Sequence, residues 1–184
     1  MDGPWFFGYG SLVNRATHAY AEAYPASISG WRRAWRHVEG REVAFLTAVP
    51  SPEGQIDGLM ARVPDGDWSA LDMREHAYAR VMATGVAHAL GGQPEIHIYH
   101  APDDMHRPAT TMRPVLLSYI DVVVQGFLRE FGEDGVQRFF DTTDGWDAPV
   151  LNDRGAPRYP RHQCLTDEET ALVDRHLALK GVNP

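Results

Sequence analysis

The chain has 184 residues, 43% of them hydrophobic and 23% charged, so it can bury a core and is expected to form a single domain. A formal net charge of −8 argues against a nucleic-acid partner, whose affinity would draw on clustered Lys and Arg. The one basic cluster, Arg32, Arg33 and Arg36 around Trp31 and Trp35, is read as a solvated strand face with the tryptophans beneath it. No apolar run approaches the ~20 residues of a bilayer span, and residues 1–4 offer no positive region before an apolar stretch, so no membrane partner is expected and the expected location is cytoplasmic. The single cysteine, Cys164, makes no internal disulfide, which fits a reducing compartment, and is read as a buried or idle thiol.

Trp5-Phe6-Phe7 has the pattern of a buried strand entering a tight turn at Gly8 to Ser11. Strands are expected over 28–38, 43–49 and 56–63 as a meander, with Pro50-Ser51-Pro52-Glu53-Gly54 as a loop or hairpin between the last two. Asp65-Gly66-Asp67 offers capping carboxylates to a helix from Trp68 to about His76, and strand character returns at 78–84 and 95–100. From Pro114 to Phe131 the residues Leu116, Ile120, Val123, Val124 and Phe127 form one stripe of an amphipathic helix, and a second short helix holds Val136, Phe139 and Phe140. Residues 142–163 carry Gly145, Pro149, Gly155, Pro157 and Pro160 without periodicity and are expected to form a long irregular loop. Thr166-Asp167-Glu168-Glu169 is a capping box before a last helix that Gly181 ends.

Two features carry chemistry. Glycines at 8 and 10 let backbone N–H groups approach a ligand and cradle a carboxylate or oxyanion, although two glycines needed only for a sharp bend would look the same. In a helix starting near Trp68, Glu75 lines up with Trp68 and Leu71 on the inward side, an unusual place for a carboxylate. Spacing alone favours the other reading, in which the helix ends early and Glu75 pairs with Arg74 or Arg80 in solvent.

Taken together, Trp5-Phe6-Phe7-Gly8-Tyr9-Gly10-Ser11-Leu12, then Ile28-Ser29-Gly30-Trp31-Arg32-Arg33, then the run from Leu71 to Val81 resemble the γ-glutamylcyclotransferase superfamily, including its ChaC-like and AIG2-like branches. The matching motifs are a Tyr-Gly-Ser-Leu turn, a Gly-Tyr/Trp-x-Arg segment, and a Leu-Asp-x-x-Glu helix end running into Tyr-x-Arg-Val. The resemblance covers about the first ninety residues, and Tyr119 within Ser118-Tyr119-Ile120-Asp121 is similar to a Tyr-bearing segment of ChaC-like members. It implies an α+β fold, a small mixed β-barrel with helices packed outside, and no metal or organic cofactor. It also implies release of 5-oxoproline from a γ-glutamyl compound, a lyase reaction in which the substrate's own α-amine attacks its γ-carbonyl. Glu75 would be the acid/base, and Tyr9, Gly10, Ser11, Leu12, Tyr78 and Tyr119 would bind substrate. Two departures, the lack of a Thr-Pro-Gly-Arg stretch and Val13-Asn14 after the turn, leave open whether the substrate is glutathione, a γ-glutamyl amino acid or a γ-glutamylamine.

Rival readings fare worse. A serine hydrolase at Ser11 lacks the Gly-x-Ser-x-Gly elbow, because Tyr9 and Val13 stand at its glycine places. A dinucleotide site lacks a glycine at 13 and a long helix after it. His97, His100, Asp103, Asp104 and His106 are the only group that invites a metal, but 97 and 100 point to opposite faces of a strand. A catalytically silent binding or interaction domain of the same fold is the remaining alternative, and a monomer and a homodimer are both compatible with the sequence.

Overall fold

The computed structural model describes residues 3–37, 42–102, 107–108 and 113–184. Its frame is a mixed sheet built on two long strands, β2 (Ala23–His37) and β3 (Phe45–Arg62), paired antiparallel over most of their length. The opening strand β1 (Trp5–Gly8) runs antiparallel to β3, and its residues are all buried, as its aromatic run requires. Three further strands, β4 (Ala79–Met82), β5 (Val86–His88) and β6 (Ile96–His100), complete the order β4-β6-β1-β3-β2-β5, with β1 and β6 parallel. Two short pieces, β7 (Arg107–Pro108) and β9 (Thr143–Asp144), add to β2, and β8 (Val115–Leu116) pairs with β10 (Val150–Leu151). Among the described residues no pairing joins β4 to β5, so the ladder is an α+β mixed sheet with helices against it.

Residues 50–54 lie within β3 rather than forming the expected loop. Ser29 pairs with Gln55 and Trp31 with Pro50, so Ser51 to Gly54 bulge out opposite Gly30 alone. The Pro and Gly signal was a real interruption of the ladder, but the strand resumes beyond it.

Helix α1 (Ser69–Arg74) is shorter than expected, and Asp67 Oδ1 accepts the Ser69 N–H at 2.9 Å at its start. Helix α2 (Leu117–Asp141) buries Ile120, Val123, Val124 and Phe127 on the sheet side, with Leu116 buried just before it. It breaks at Gly132 (φ 68°), and the turn beyond carries Val136, Phe139 and Phe140, the expected second helix. Helix α3 (Asp167–Leu179) has the capping box in full: Thr166 Oγ1 accepts the Glu169 N–H and Glu169 accepts the Thr166 N–H. α2 lies directly on the segment after β1. A Cβ on Gly126 would stand 2.6 Å from the Asn14 backbone nitrogen, and the buried Asn14 amide donates to Val122 O and Gln125 Oε1. No helix among the described residues is long and apolar enough to cross a membrane.

The basic cluster departs from its sequence reading. Arg32 faces solvent and pairs with Asp144, but Arg33 is fully buried. Its guanidinium donates to Tyr9 O (2.8 Å), to Thr142 Oγ1 (2.8 Å) and to Asp57 O, beneath the rings of Phe127 and Phe139. Burial pushes its pKa down to about 9, which still leaves it charged at neutral pH. A strand's alternation puts Arg33 inward because its odd-numbered neighbours Trp31 and Trp35 face that way too. Charge alone was a poor guide to its side.

Candidate active site

After β1 the chain turns at Gly8-Tyr9-Gly10 into one short 3-10 turn, Ser11–Val13. Val13 N donates to Gly10 O and Asn14 N to Ser11 O, whereas the N–H groups of Gly10 and Leu12 meet no acceptor among the described residues. Gly10 is needed for close approach: a Cβ there would lie 2.7 Å from the Tyr119 hydroxyl oxygen and 3.3 Å from Leu46 Cδ2. The turn forms one wall of a recess of about 360 Å³, open to solvent, whose other walls include Leu46, Glu75, Tyr78, Tyr99 and Tyr119. All seven residues singled out from sequence therefore border one recess.

Glu75 follows the last residue of α1, and its N–H still donates to Leu71 O. The helix does end early and Glu75 does pair with Arg74 (Nε to Oε1, 3.2 Å), as the solvent reading supposed, yet the Glu75 side chain is only 17% exposed. Burial pushes its carboxyl up, and the positive fields of Arg74 and Arg161 oppose this without cancelling it. Arg80, the other partner considered, instead holds Asp72 and lies over the Trp68 ring. A carboxylate of raised basicity beside free backbone N–H groups can exchange a proton with a bound amine while those donors take up negative charge.

The tyrosines are packing and scaffold groups as much as lining. Tyr9 donates to Tyr99 O at 2.6 Å and Tyr78 to Leu46 O at 2.9 Å, so both hydroxyl protons are committed to carbonyls rather than to orienting Glu75. Burial raises the pKa of Tyr9 and Tyr119 and keeps both protonated. Tyr99, which sequence reasoning did not single out, donates a short hydrogen bond to Asp72.

A second recess of about 810 Å³, also open to solvent, adjoins the first and shares Ser11, Glu75, Tyr78 and Tyr119 with it. Its outer wall is formed by residues 158–161 of the 142–163 segment, which is irregular apart from the short strands β9 and β10. Tyr159 donates to Ser11 Oγ at 2.9 Å and sets its ring edge-on to Tyr119, with centroids 4.9 Å apart. Arg158 and Arg161 line the same wall. Asp153 holds this segment by accepting from Ser118 N (2.8 Å), Ser118 Oγ (2.6 Å) and Arg158 N (2.9 Å). Burial works to raise its pKa, but these donors together leave it lowered. From the sequence this segment reads as a long irregular loop of the kind that often carries function, with no sign of which of its residues would face the recess.

The described residues hold no group of three His, Cys, Asp or Glu side chains suited to a metal. His97 instead meets the Trp68 ring edge and His100 that of Trp31, while Asp103, Asp104 and His106 lie outside the described residues. Cys164 is exposed rather than buried.

The same fold occurs in a structure named gamma-glutamyl cyclotransferase (TM-score 0.59, 13% identity, 95% of this chain and 99% of that one). It occurs also in an uncharacterised protein of Homo sapiens (0.57, 13%, covering 92% and 97%). YkqA of Bacillus subtilis matches over 79% of this chain and 57% of its own length, at 0.59 and 16%. At such identities the likeness is one of fold. Sequence carries the relationship further: the model of the ChaC-like protein family matches residues 4–103, more than half of the chain, and spans β1, the glycine turn and Glu75. On that match the chain belongs to the ChaC-like family, within the γ-glutamylcyclotransferase-like superfamily.

Proposed function

We propose that the protein is a γ-glutamylcyclotransferase, converting a γ-glutamyl compound to 5-oxoproline and a free amine. The observation that carries this reading is the nearly buried Glu75 carboxylate, of raised basicity, in one recess with the unpaired N–H groups of the glycine turn. Family membership supports it.

The chemistry asks little covalent work of the protein. The α-nitrogen forms a bond to the γ-carbon, closing a five-membered ring, and the γ-carbon to nitrogen bond breaks. Holding the substrate folded for this attack supplies up to about 7–11 kcal/mol in the best intramolecular cases. The α-ammonium must first lose a proton, which Glu75 accepts and later returns to the departing nitrogen. The N–H groups of Gly10 and Leu12 offer donors to the oxyanion that develops on the γ-oxygen and to the α-carboxylate. Tyr9, Tyr78 and Tyr119 shape the wall against which the γ-glutamyl chain folds.

The test is to incubate the protein separately with glutathione, γ-glutamyl-alanine and a γ-glutamylamine and to follow 5-oxoproline by mass spectrometry, with Glu75→Gln as control. Release from any of the three, lost in the variant, is the expected result. Folded protein that releases none from these or from a wider γ-glutamyl panel would be a binding domain of this fold rather than an enzyme.

A further inference from the structure

Glu75 borders both recesses, so a γ-amide held beside it would have its glutamyl part at the glycine turn and its leaving amine facing the outer recess. That outer recess is unlike the rest of the molecule. The chain carries a net charge of −8, yet Arg74, Arg158 and Arg161 converge on this one opening, against Glu75 as its lining carboxylate. Arg74 is already engaged by Glu75, Thr17 O and Ser11 Oγ. The other two are not committed in this way. Arg158 reaches only the exposed Glu42, at 3.3 Å, and the Arg161 guanidinium has no hydrogen-bond or ion-pair partner among the described residues, although it lies close enough for its charge to act on Glu75.

Resting on the cyclotransferase reading above, we propose that Arg158 and Arg161 form a clamp for a carboxylate on the leaving amine, so that the substrates are γ-glutamyl amino acids or peptides rather than γ-glutamyl derivatives of simple amines or lysine side chains. Guanidinium groups suit this task because each offers paired N–H donors to a carboxylate, and two of them at the mouth would repel a cationic leaving group. The clamp is also built rather than incidental. Asp153 accepts the Arg158 N–H and both Ser118 donors, and Ser118 Oγ in turn accepts from Tyr159 N at 3.3 Å. The segment bearing both arginines is thereby fixed to the first turn of α2. It lies outside the span, residues 4–103, that the family model matches.

The decisive comparison is between γ-glutamyl-alanine and γ-glutamylethylamide, which differ only by the carboxylate. Wild-type protein should favour the former in kcat/KM by about ten-fold, the scale of one charge-assisted hydrogen-bonded pair at a partly exposed site. In Arg158→Ala/Arg161→Ala the ratio should fall toward one, Arg161→Lys should keep part of it, and added salt should erode it in the wild type. Both side chains are exposed, so folding is checked simply by an unchanged melting temperature. A wild-type ratio near one, or a ratio that survives the double substitution, overturns the clamp while leaving the cyclotransferase reading intact. If neither compound yields 5-oxoproline, the wider γ-glutamyl panel decides the cyclotransferase reading, separately from the clamp. Titration calorimetry with the two compounds then decides the clamp: tighter binding of γ-glutamyl-alanine, lost in the double variant, sustains it, and equal binding overturns it.

Discussion

Two regions meet at the candidate site, and they differ in how they are held. The glycine turn and Glu75 sit on regular elements, at the end of β1 and of α1, inside the span shared with the ChaC-like family. The 153–161 segment has no regular structure and depends on side-chain hydrogen bonds, chiefly those of Asp153, for its place. A strand end fixes backbone donors to within a fraction of an ångström, which suits a reacting group, whereas a pinned loop can change sequence without disturbing the sheet. Under the proposed function, turnover falls to the first region and choice of leaving group to the second.

That division can be broken experimentally. The largest effect is expected for Glu75→Gln, which should lower kcat for every substrate by about 10²–10⁴-fold with binding retained, read by steady-state kinetics and calorimetry. Arg33→Ala removes the donor shared by Tyr9 O, Asp57 O and Thr142 Oγ1 and should cost about 3–5 kcal/mol of unfolding free energy in urea. Gly10→Ala drives a methyl group against the Tyr119 hydroxyl and should reduce kcat/KM for all substrates by about 10²-fold, because both walls of the recess must shift. Asp153→Asn turns an amide N–H donor toward groups that need an acceptor. It should cost about 1–3 kcal/mol and raise KM for γ-glutamyl-alanine with little change in kcat. A kcat loss there as deep as that of Glu75→Gln would end the division of labour.

The smallest effect concerns pH. The folded-state pKa of Glu75 is raised, so the folded protein binds this proton more tightly than the unfolded chain. Its contribution to stability is therefore present below the unfolded pKa and is lost as pH rises through the folded one, and at neutral pH the buried charge opposes folding. Glu75→Gln should melt slightly higher than wild type at pH 7, with the difference closing as pH falls toward the ordinary carboxylate range. The acid limb of the activity profile should likewise lie above that range.

Local signals were the readable ones. The Trp5-Phe6-Phe7 strand, the Thr166 capping box and the stripe from Leu116 to Phe127 each declare themselves within a few residues, by periodicity or by a cap. Glu75 was legible through the ordered motifs around it, more than through its helix, which stops one residue short of it. What escaped was set by partners distant in sequence. Arg33 looks like any strand-face arginine until Thr142 and Phe139 arrive across the fold, and nothing near Tyr159 announces that its hydroxyl will reach Ser11. The Pro50 to Gly54 run was misread for a related reason: turn residues mark a broken ladder, but only the pairing of Ser29 with Gln55 reveals that the strand continues.

The buried guanidinium of Arg33 has a consequence for how this chain comes into being. It fastens the carbonyl at the heart of the glycine turn, made early in synthesis, to a hydroxyl at position 142, made late. Until the second half emerges, that charge has neither the Thr142 oxygen nor the rings of Phe127 and Phe139 to receive it, and the turn's Tyr9 carbonyl lacks a settled donor. A fragment ending at residue 103, although it holds the whole span that the family model matches, is expected to remain unassembled, and the nascent protein to acquire its recess only once residues 119–161 have emerged.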